Sequence, residues 1–449
     1  MPLCLSVFHR MDEDVLRNHA HYCRVHGYPH QSVESDGIFH PALRDAWKYS
    51  RMLRHLRALP EGDWLLCLDA DCVVFWPVPV DAMLQAGEVL AVEGPVVGNF
   101  AQRVMTGMLV LRNTDANRRM LHDLVADASR VIALEADELD ASSRLREAGA
   151  LPCNAMVADT YVHISWRTTN WQDARIFVVN LAPLPVVGRG GVEAVDILHD
   201  LTLKNLLVRQ VNRGLMHGER ILQPPAYPPL SGDALSSYNA ASRIAFVTLY
   251  TGHVATYARV AEHNVKRYCD RHGYAFHVYR SVPEALGPQV KGNWAKAWVL
   301  QQHLAQHDWV IWIDADMLFV NPAQRFDELL SGRDLLFAKD IGNWPVNSGL
   351  MAFRNTPSNA ALLEELNRRI HEVPDKSSVY ASMGDQYFVN ALLREQGLDG
   401  VDNVLDFVSV NTPHYLRTPG TLLMHFLGLG EPYRSVYMAD QDLASLRAG

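Results

Sequence analysis

Two aspartate pairs in this chain stand where carboxylates are costly. Asp69-Ala70-Asp71 and Asp314-Ala315-Asp316 each close an apolar run, Trp64 to Leu68 and Trp309 to Ile313. Each is followed at once by more apolar residues, Cys72 to Trp76 and Met317 to Val320. Two carboxylates at such a place are desolvated and repel one another unless a cation or hydrogen-bond donors compensate. A hard divalent cation with oxygen ligands would do so, and would also neutralise a diphosphate leaving group. Two further Asp-x-Asp pairs, Asp12/Asp14 and Asp440/Asp442, lie in polar surroundings and read as solvated or turn residues.

The elements that must carry these pairs recur. Tyr22-Cys23-Arg24-Val25-His26-Gly27-Tyr28 returns as Tyr268-Cys269-Asp270-Arg271-His272-Gly273-Tyr274. The two aspartate segments match from Asp63 and from Asp308, and Gly107-Met108-Leu109-Val110-Leu111-Arg112-Asn113-Thr114 returns as Gly349-Leu350-Met351-Ala352-Phe353-Arg354-Asn355-Thr356. Three matches in one order at a nearly constant offset indicate a duplicated domain, since the period is far too long for a solenoid. Each copy reads as a short β-run (Leu3 to Phe8; Ile244 to Leu249), a helix stopped by glycine (Gly27; Gly273), and a second helix around Trp47-Lys48 or Trp294-Ala295-Lys296. The apolar strand ending in aspartates follows. Strands alternating with helices, and apolar on both faces, predict an α/β fold with a mostly parallel sheet covered on both sides. Ligands of such sheets bind beyond the carboxyl ends of the strands, where both aspartate pairs fall.

The expected boundary is the segment Gln223-Pro224-Pro225-Ala226-Tyr227-Pro228-Pro229 and the serines after it. Clustered prolines continue neither a helix nor a central strand. The expected division is a first domain over 1–215, a linker over 216–239 and a second domain over 240–449. With 449 residues and 48% hydrophobic composition, each half can bury its own core. A net charge of −9 disfavours a nucleic-acid backbone as the partner. Six cysteines without a CxxC pair offer neither a zinc ribbon nor a redox motif, so a reduced, cytoplasmic setting is expected. No run approaches the ~18 apolar residues of a membrane span, and Leu3 to Phe8 is too short for the apolar core of a secretion signal. At most peripheral membrane contact is expected.

The second half resembles the GT-A nucleotide-sugar transferases, in particular those of family 34, which transfer galactose, xylose or mannose. The resemblance runs through Ile244 to Tyr250, Lys296, Asp314-Ala315-Asp316, Asn347-Ser348-Gly349, Gly384-Asp385-Gln386 and Met424-His425-Phe426-Leu427-Gly428. The first half is more divergent, with Lys48, Asp69-Ala70-Asp71, Thr106-Gly107, Ala158-Asp159-Thr160 and Leu198-His199-Asp200. Two tandem GT-A domains follow from the resemblance. It implies that Asp314, Asp316 and His425 hold Mn²⁺ or Mg²⁺ on the diphosphate of a nucleotide sugar, with UDP the expected nucleotide. Asp69, Asp71 and His199 are the counterparts in the first half. It further implies that Thr248 and Tyr250 face the base, Lys296 and Lys48 the diphosphate, and Asn347 and Ser348 the sugar. Asp385 and Gln386, with Asp159 in the first half, fall beside the anomeric carbon.

Both halves depart from the pattern. Many relatives carry a phosphate-binding lysine five or six residues after the metal histidine. Lys204 meets this in the first half, whereas the second has Gly430 and Glu431 there and only Arg434 beyond. The first half lacks the Asn-Ser-Gly and Asp-Gln forms. The resemblance therefore implies transfer, with retention, from a nucleoside-diphosphate sugar to a hydroxyl on a glycan, a lipid-linked, small-molecule or peptide acceptor. Two working sites, or one with a degenerate carbohydrate- or acceptor-binding partner, both fit. A sugar-nucleotide nucleotidyltransferase is the alternative, against which stands the lack of a glycine-rich loop after either first strand.

Overall fold

Alternate side chains of a strand face opposite sides of its sheet, so a strand apolar at every position needs cover on both. The computed structural model describes residues 1–93, 104–133, 161–163, 176–181, 186–187, 193–194, 201–287, 290–342 and 344–448. The chain divides into two compact units, Met1–Ile221 and Leu222–Gly449.

Unit 1 contains β1 (Leu3–Phe8), α1 (Glu13–His26), β2 (His30–Glu34), α2 (Pro41–Ala58), β3 (Trp64–Asp69), β4 (Cys72–Val74), α3 (Val80–Leu84), β5 (Val89–Glu93), β6 (Val104–Arg112) and α4 (Asp115–Ala133). Strands β7 (Tyr161–His163), β8 (Ile176–Asn180), β9 (Val186–Val187) and β10 (Glu193–Ala194) and helix α5 (Leu201–His217) complete it. The main sheet has the order β2-β1-β3-β6-β5. Leu65 and Cys67 pack on one face with Tyr49 and Met52 of α2, and Trp64, Leu66 and Leu68 on the other with Tyr22 and Cys23 of α1.

Unit 2 contains β11 (Leu235–Tyr238), β12 (Ile244–Leu249), α6 (Ala255–His272), β13 (Ala275–Tyr279), α7 (Lys296–Leu304), β14 (Trp309–Ile313), β15 (Met317–Phe319), α8 (Asp327–Leu330), β16 (Leu335–Lys339) and β17 (Val346–Arg354). Then come α9 (Pro357–Glu372), α10 (Gly384–Glu395), β18 (Val404–Leu405), β19 (Thr412–Pro413), β20 (Leu423–His425) and α11 (Tyr433–Ala448). Its main sheet has the order β11-β13-β12-β14-β17-β16-β18. Phe246, Ile311 and Ile313 pack against Tyr268 and Cys269 of α6. Val247, Val310 and Trp312 pack against Leu300 of α7 and Leu363 of α9.

The mixed α/β architecture agrees with the sequence, with one refinement. Only part of each sheet is parallel: β1 with β2 and β3, β12 with β13 and β14, and at the far edge β16 with β18. Strands β6 and β17 run antiparallel to β3 and β14. The short connection from β16 back into β17 allows only a hairpin, because a parallel return needs a long crossover. The glycine stops stand where the repeats place them: Gly27 and Gly273 adopt φ 69° and 72° at the ends of α1 and α6.

Two sequence expectations differ from what the chain does. Within the proline-rich segment taken for a linker, Leu235–Tyr238 forms β11 and pairs antiparallel with β13, while the Pro228 carbonyl accepts a hydrogen bond from His263. Asp442, read as solvated, is 1% exposed. It accepts from Asn264 and Tyr227 and pairs with Arg267, because α11 turns this position inward onto α6. Asp12 caps α1, accepting from the Asp14 and Val15 amides. Cys4, Cys23, Cys67, Cys72 and Cys269 are buried free thiols. Among the described residues no helix is long and apolar enough to cross a membrane.

Candidate active site

Strand β14 ends at Ile313, and the next residue leaves the sheet with its amide still anchored: Asp314 N–H donates to the Gly349 carbonyl at 2.9 Å. Three residues on, β15 begins and pairs with β20, placing Met317 opposite His425. The Phe426 amide donates to the Asp316 carbonyl at 3.0 Å. These backbone bonds bring a histidine from the far end of the chain against the aspartate pair. His425 Nε2 lies 3.1 Å from Asp316 Oδ1. Its Nδ1 donates to Asn411 Oδ1 at 2.7 Å, which fixes the tautomer and leaves Nε2 facing Asp316. One ligand atom each from Asp314, Asp316 and His425 lies within 4.8 Å of the others. Two carboxylates and an imidazole aimed by an outer partner are a fit donor set for a divalent cation.

Lysine and arginine surround the pair. Lys296, 6% exposed at the start of α7, reaches Asp314 at 2.8 Å, Asp385 at 3.4 Å and the Ser348 carbonyl at 3.2 Å. Burial pulls its ammonium down, but Asp314 and Asp385 outweigh that and hold it above the ordinary lysine range. Trp312 Nε1 donates to Asp314 Oδ1 at 2.6 Å. Arg434 Nη1 lies 3.2 Å from Asp316 Oδ2, with its guanidinium 4.7 Å from the centre of the Tyr257 ring. Burial raises Asp316, but His425 and Arg434 together hold it well below the usual carboxylate range. The Tyr257 hydroxyl is pushed up to about 12 by burial and by Asp316.

Asp385 and Gln386 open α10. Asp385 is not the helix cap; that position is Met383. Its carboxylate instead accepts from Asn293 and from Ser348 Oγ, both at 2.9 Å. Gln386 Oε1 accepts from the Ser348 amide at 3.0 Å, which turns its amide nitrogen away from Ser348. Asn347 donates to Asp340 and accepts from the Gly349 amide. Gly349 is required by close approach: a Cβ there would stand 2.9 Å from His425 Cε1 and 2.8 Å from Asn347 Oδ1.

Asp314, Asp316, His425, Lys296, Ser348, Asp385, Gln386, Asn347 and Arg434 therefore form one connected group. Thr248 and Tyr250 do not join it. Both are buried, and the Tyr250 hydroxyl donates to Glu262 at 2.5 Å, an acceptor it shares with Arg280. The residues just after them, Thr251, Gly252 and His253, line a cavity of about 490 Å³ together with Arg280, Glu284 and Lys291. Asn293, Asn411, Trp312 and Tyr257 were not singled out by the sequence. Asn293, three residues before Lys296, and Trp312, two before Asp314, were the two with a nearby signal.

Unit 1 repeats part of this frame. Lys48, 4% exposed, donates to Asp69 Oδ2 and to the Thr106 carbonyl, both at 2.6 Å. Lys204 of α5 pairs with Asp71. Burial pushes the Asp69 carboxyl up to about 6 against the opposing pull of Lys48, and its Oδ1 is buried without a hydrogen-bond partner. Asp159 and His199 lie outside the described residues.

A family profile described as "Protein of unknown function, DUF273" matches residues 265–395. No curated protein matches the chain. Among solved structures, the chain is similar to a glycosyltransferase involved in glycosylation of the major capsid of PBCV-1, with 19% identity, TM-score 0.35, and 43% of this chain and 98% of that one covered. It is also similar to the galactosyltransferase LgtC in complex with donor and acceptor sugar analogs, with 13% identity, TM-score 0.31, and coverage of 45% and 95%. Mouse xyloside xylosyltransferase 1 matches with 13% identity, TM-score 0.25, and coverage of 41% and 98%.

Proposed function

We propose that unit 2 is a metal-dependent glycosyltransferase that moves a sugar from a nucleoside-diphosphate donor, with UDP the favoured nucleotide, to an acceptor hydroxyl with retention. The observation that carries this reading is the convergence of Asp314, Asp316 and an oriented His425 at the carboxyl end of β14, with Lys296, Arg434 and Gln386 around them. Asp314, Asp316 and His425 would hold Mn²⁺ or Mg²⁺. When bound, such an ion neutralises charge on a departing diphosphate.

The chain's own groups divide the remaining work. The guanidinium of Arg434 offers phosphate oxygens a planar pair of donors once they draw it from Asp316. Lys296 pairs with both Asp314 and Asp385 and so offsets the charge that the two carboxylates bring into a half-buried wall. Asp385 holds Asn293 and Ser348 in place, and Ser348 holds Gln386. Gln386 then presents its amide nitrogen as a fixed donor to the sugar, the kind of preorganised dipole that favours a charged transition state. Asn347 and Ser348 shape the sugar-facing wall. The cavity behind Thr251 and His253 is proposed for the nucleotide base. No nucleophile is assigned, and a front-face transfer requires none. The acceptor is a glycan, lipid-linked, small-molecule or peptide hydroxyl, and the setting is proposed to be cytoplasmic.

We further propose that the halves are a tandem duplication and that unit 1 is a second transferase site. The Lys48–Asp69–Thr106 arrangement, which reproduces Lys296–Asp314–Ser348, supports this. A panel of nucleotide sugars incubated with Mn²⁺ and the full chain, with released nucleotide as the readout, tests both claims. Turnover abolished by Asp316→Asn alone leaves unit 1 a binding partner only. Loss of one donor with Asp316→Asn and another with Asp71→Asn establishes two sites. Release of pyrophosphate from UTP and a sugar phosphate would replace transfer with nucleotidyl chemistry.

A further inference from the structure

At the amino ends of β12 and β14, opposite the aspartates, three imidazoles meet in the interior of unit 2. His277 of β13, His303 of α7 and His307 just before β14 are 2%, 5% and 3% exposed. His277 Nε2 and His307 Nε2 are 3.0 Å apart, and the His277 and His303 rings stack at 4.0 Å. One nitrogen from each ring lies within 4.8 Å of the other two.

Each ring is held from outside the cluster. His307 Nδ1 donates to the Ser242 carbonyl at 2.7 Å, so its Nε2 carries a lone pair directed at His277. His277 Nδ1 meets Ser237 Oγ at 2.8 Å. His303 Nε2 meets the Tyr279 hydroxyl at 2.9 Å. The remaining nitrogen, His303 Nδ1, is buried with no hydrogen-bond partner. A buried polar atom left in that state calls for an absent ligand or carries an uncompensated cost.

The fold does not demand the cluster. Strand registers and the Asp63-Trp64 and Asp308-Trp309 matches align His277 with Gln31, His303 with Ala58 and His307 with Gly62. Unit 1 builds the same strands and helices with none of the three imidazoles.

We propose that His277, His303 and His307 form a zinc site that clamps β13, the end of α7 and the turn into β14 together. Three neutral imidazoles, each oriented by an outer hydrogen bond, are a nitrogen-rich set suited to Zn²⁺, and leave a fourth position for water. Zinc–nitrogen bonds of about 2.0–2.1 Å place tetrahedral ligand atoms about 3.4 Å apart. The pair His277–His307 is near that separation already. His303, held by a single bond, rotates out of the stack to close the rest. The proton now shared between His277 and His307 moves to His277 Nδ1, where it is donated to Ser237 Oγ, so three neutral ligands result without proton release.

The test uses the chelator-treated full chain titrated with Co²⁺, which gives an intense visible band in a four-coordinate nitrogen site and a weak one in a six-coordinate carboxylate site. The expected result is an intense band at one equivalent, displaced by Zn²⁺, retained in Asp316→Asn and lost in both His277→Gln and His303→Ala. These substitutions install residues that unit 1 carries at the matching positions, and circular dichroism checks folding. Zinc should also raise the melting temperature of the wild type but not of His303→Ala. A wild type without the band, or a band surviving either histidine substitution in folded protein, overturns the proposal.

Discussion

Asn411 accepts the Nδ1 proton of His425 at 2.7 Å, and that one bond decides which imidazole nitrogen faces Asp316. Asn411 is itself 1% exposed and adopts φ 61°, a conformation asparagine tolerates better than most residues. Outer-shell partners of this kind are typically worth about 10- to 100-fold in metal affinity. Asn411→Ala is therefore expected to weaken Mn²⁺ binding to unit 2 by that factor with little change in fold, as read by calorimetric titration. Unchanged affinity would remove the orienting role.

Gly349 predicts a steric counterpart. A methyl group added there meets His425 Cε1 and Asn347 Oδ1 below 3 Å. Gly349→Ala should cost about 1–3 kcal/mol of stability through overpacking. It should also lower turnover more than binding of the free nucleotide, because the displaced ring is one of the three groups proposed to hold the metal. Steady-state kinetics beside a urea titration separates the two effects.

Among the described residues, Lys296 is the one cation that pairs with both Asp314 and Asp385. Its removal in Lys296→Met leaves two poorly solvated carboxylates facing each other, and breaking a buried pair costs about 3–5 kcal/mol. The loss should shrink when Asp385→Asn is added, since the stranded charge is then gone. A double-mutant cycle in urea measures this coupling; strict additivity would mean the three groups do not act together.

Unit 1 carries a pH dependence of its own. His19 lies between Ser6 Oγ at 2.8 Å and the Cys72 carbonyl at 2.7 Å, and burial pushes its pKa down to about 4. The unfolded chain takes up this proton near the ordinary value of 6.5, whereas the folded chain resists until about 4. Stability from this residue is thus whole above pH 6.5 and falls as pH drops toward 4, by up to about 1.4 kcal/mol per pH unit. Hydrogen exchange of β1 and α1 peptides between pH 7.5 and 5, corrected for intrinsic rates, should show the decline. His19→Gln should flatten it.

What could be read in advance follows the range of the interactions. The aspartate strands were legible because burial on both faces leaves an unbroken apolar run, and the αL glycines because only glycine stops a helix there cheaply. The same unbroken run hides which way each side chain points, so the sequence does not show that the Tyr250 hydroxyl is spent on Glu262. Asn411 and Tyr257 act across the tertiary structure and leave no local pattern, whereas Trp312 acts on Asp314 only two residues away but is hidden in an apolar run. Asp442 looked like a surface residue because its partners, Asn264 and Arg267, come from a helix far back in the chain. His277, His303 and His307 are spread over a strand, a helix and a turn, and twenty histidines mask three that meet.

The pairing of Leu235–Tyr238 with Ala275–Tyr279 bears on how the chain can be dissected. An expression fragment started at residue 240 would strip the outermost strand from its sheet and leave a row of peptide groups on β13 open to intermolecular pairing. Such a fragment should associate or precipitate, whereas one begun near residue 222 keeps its own border strand and stays monodisperse.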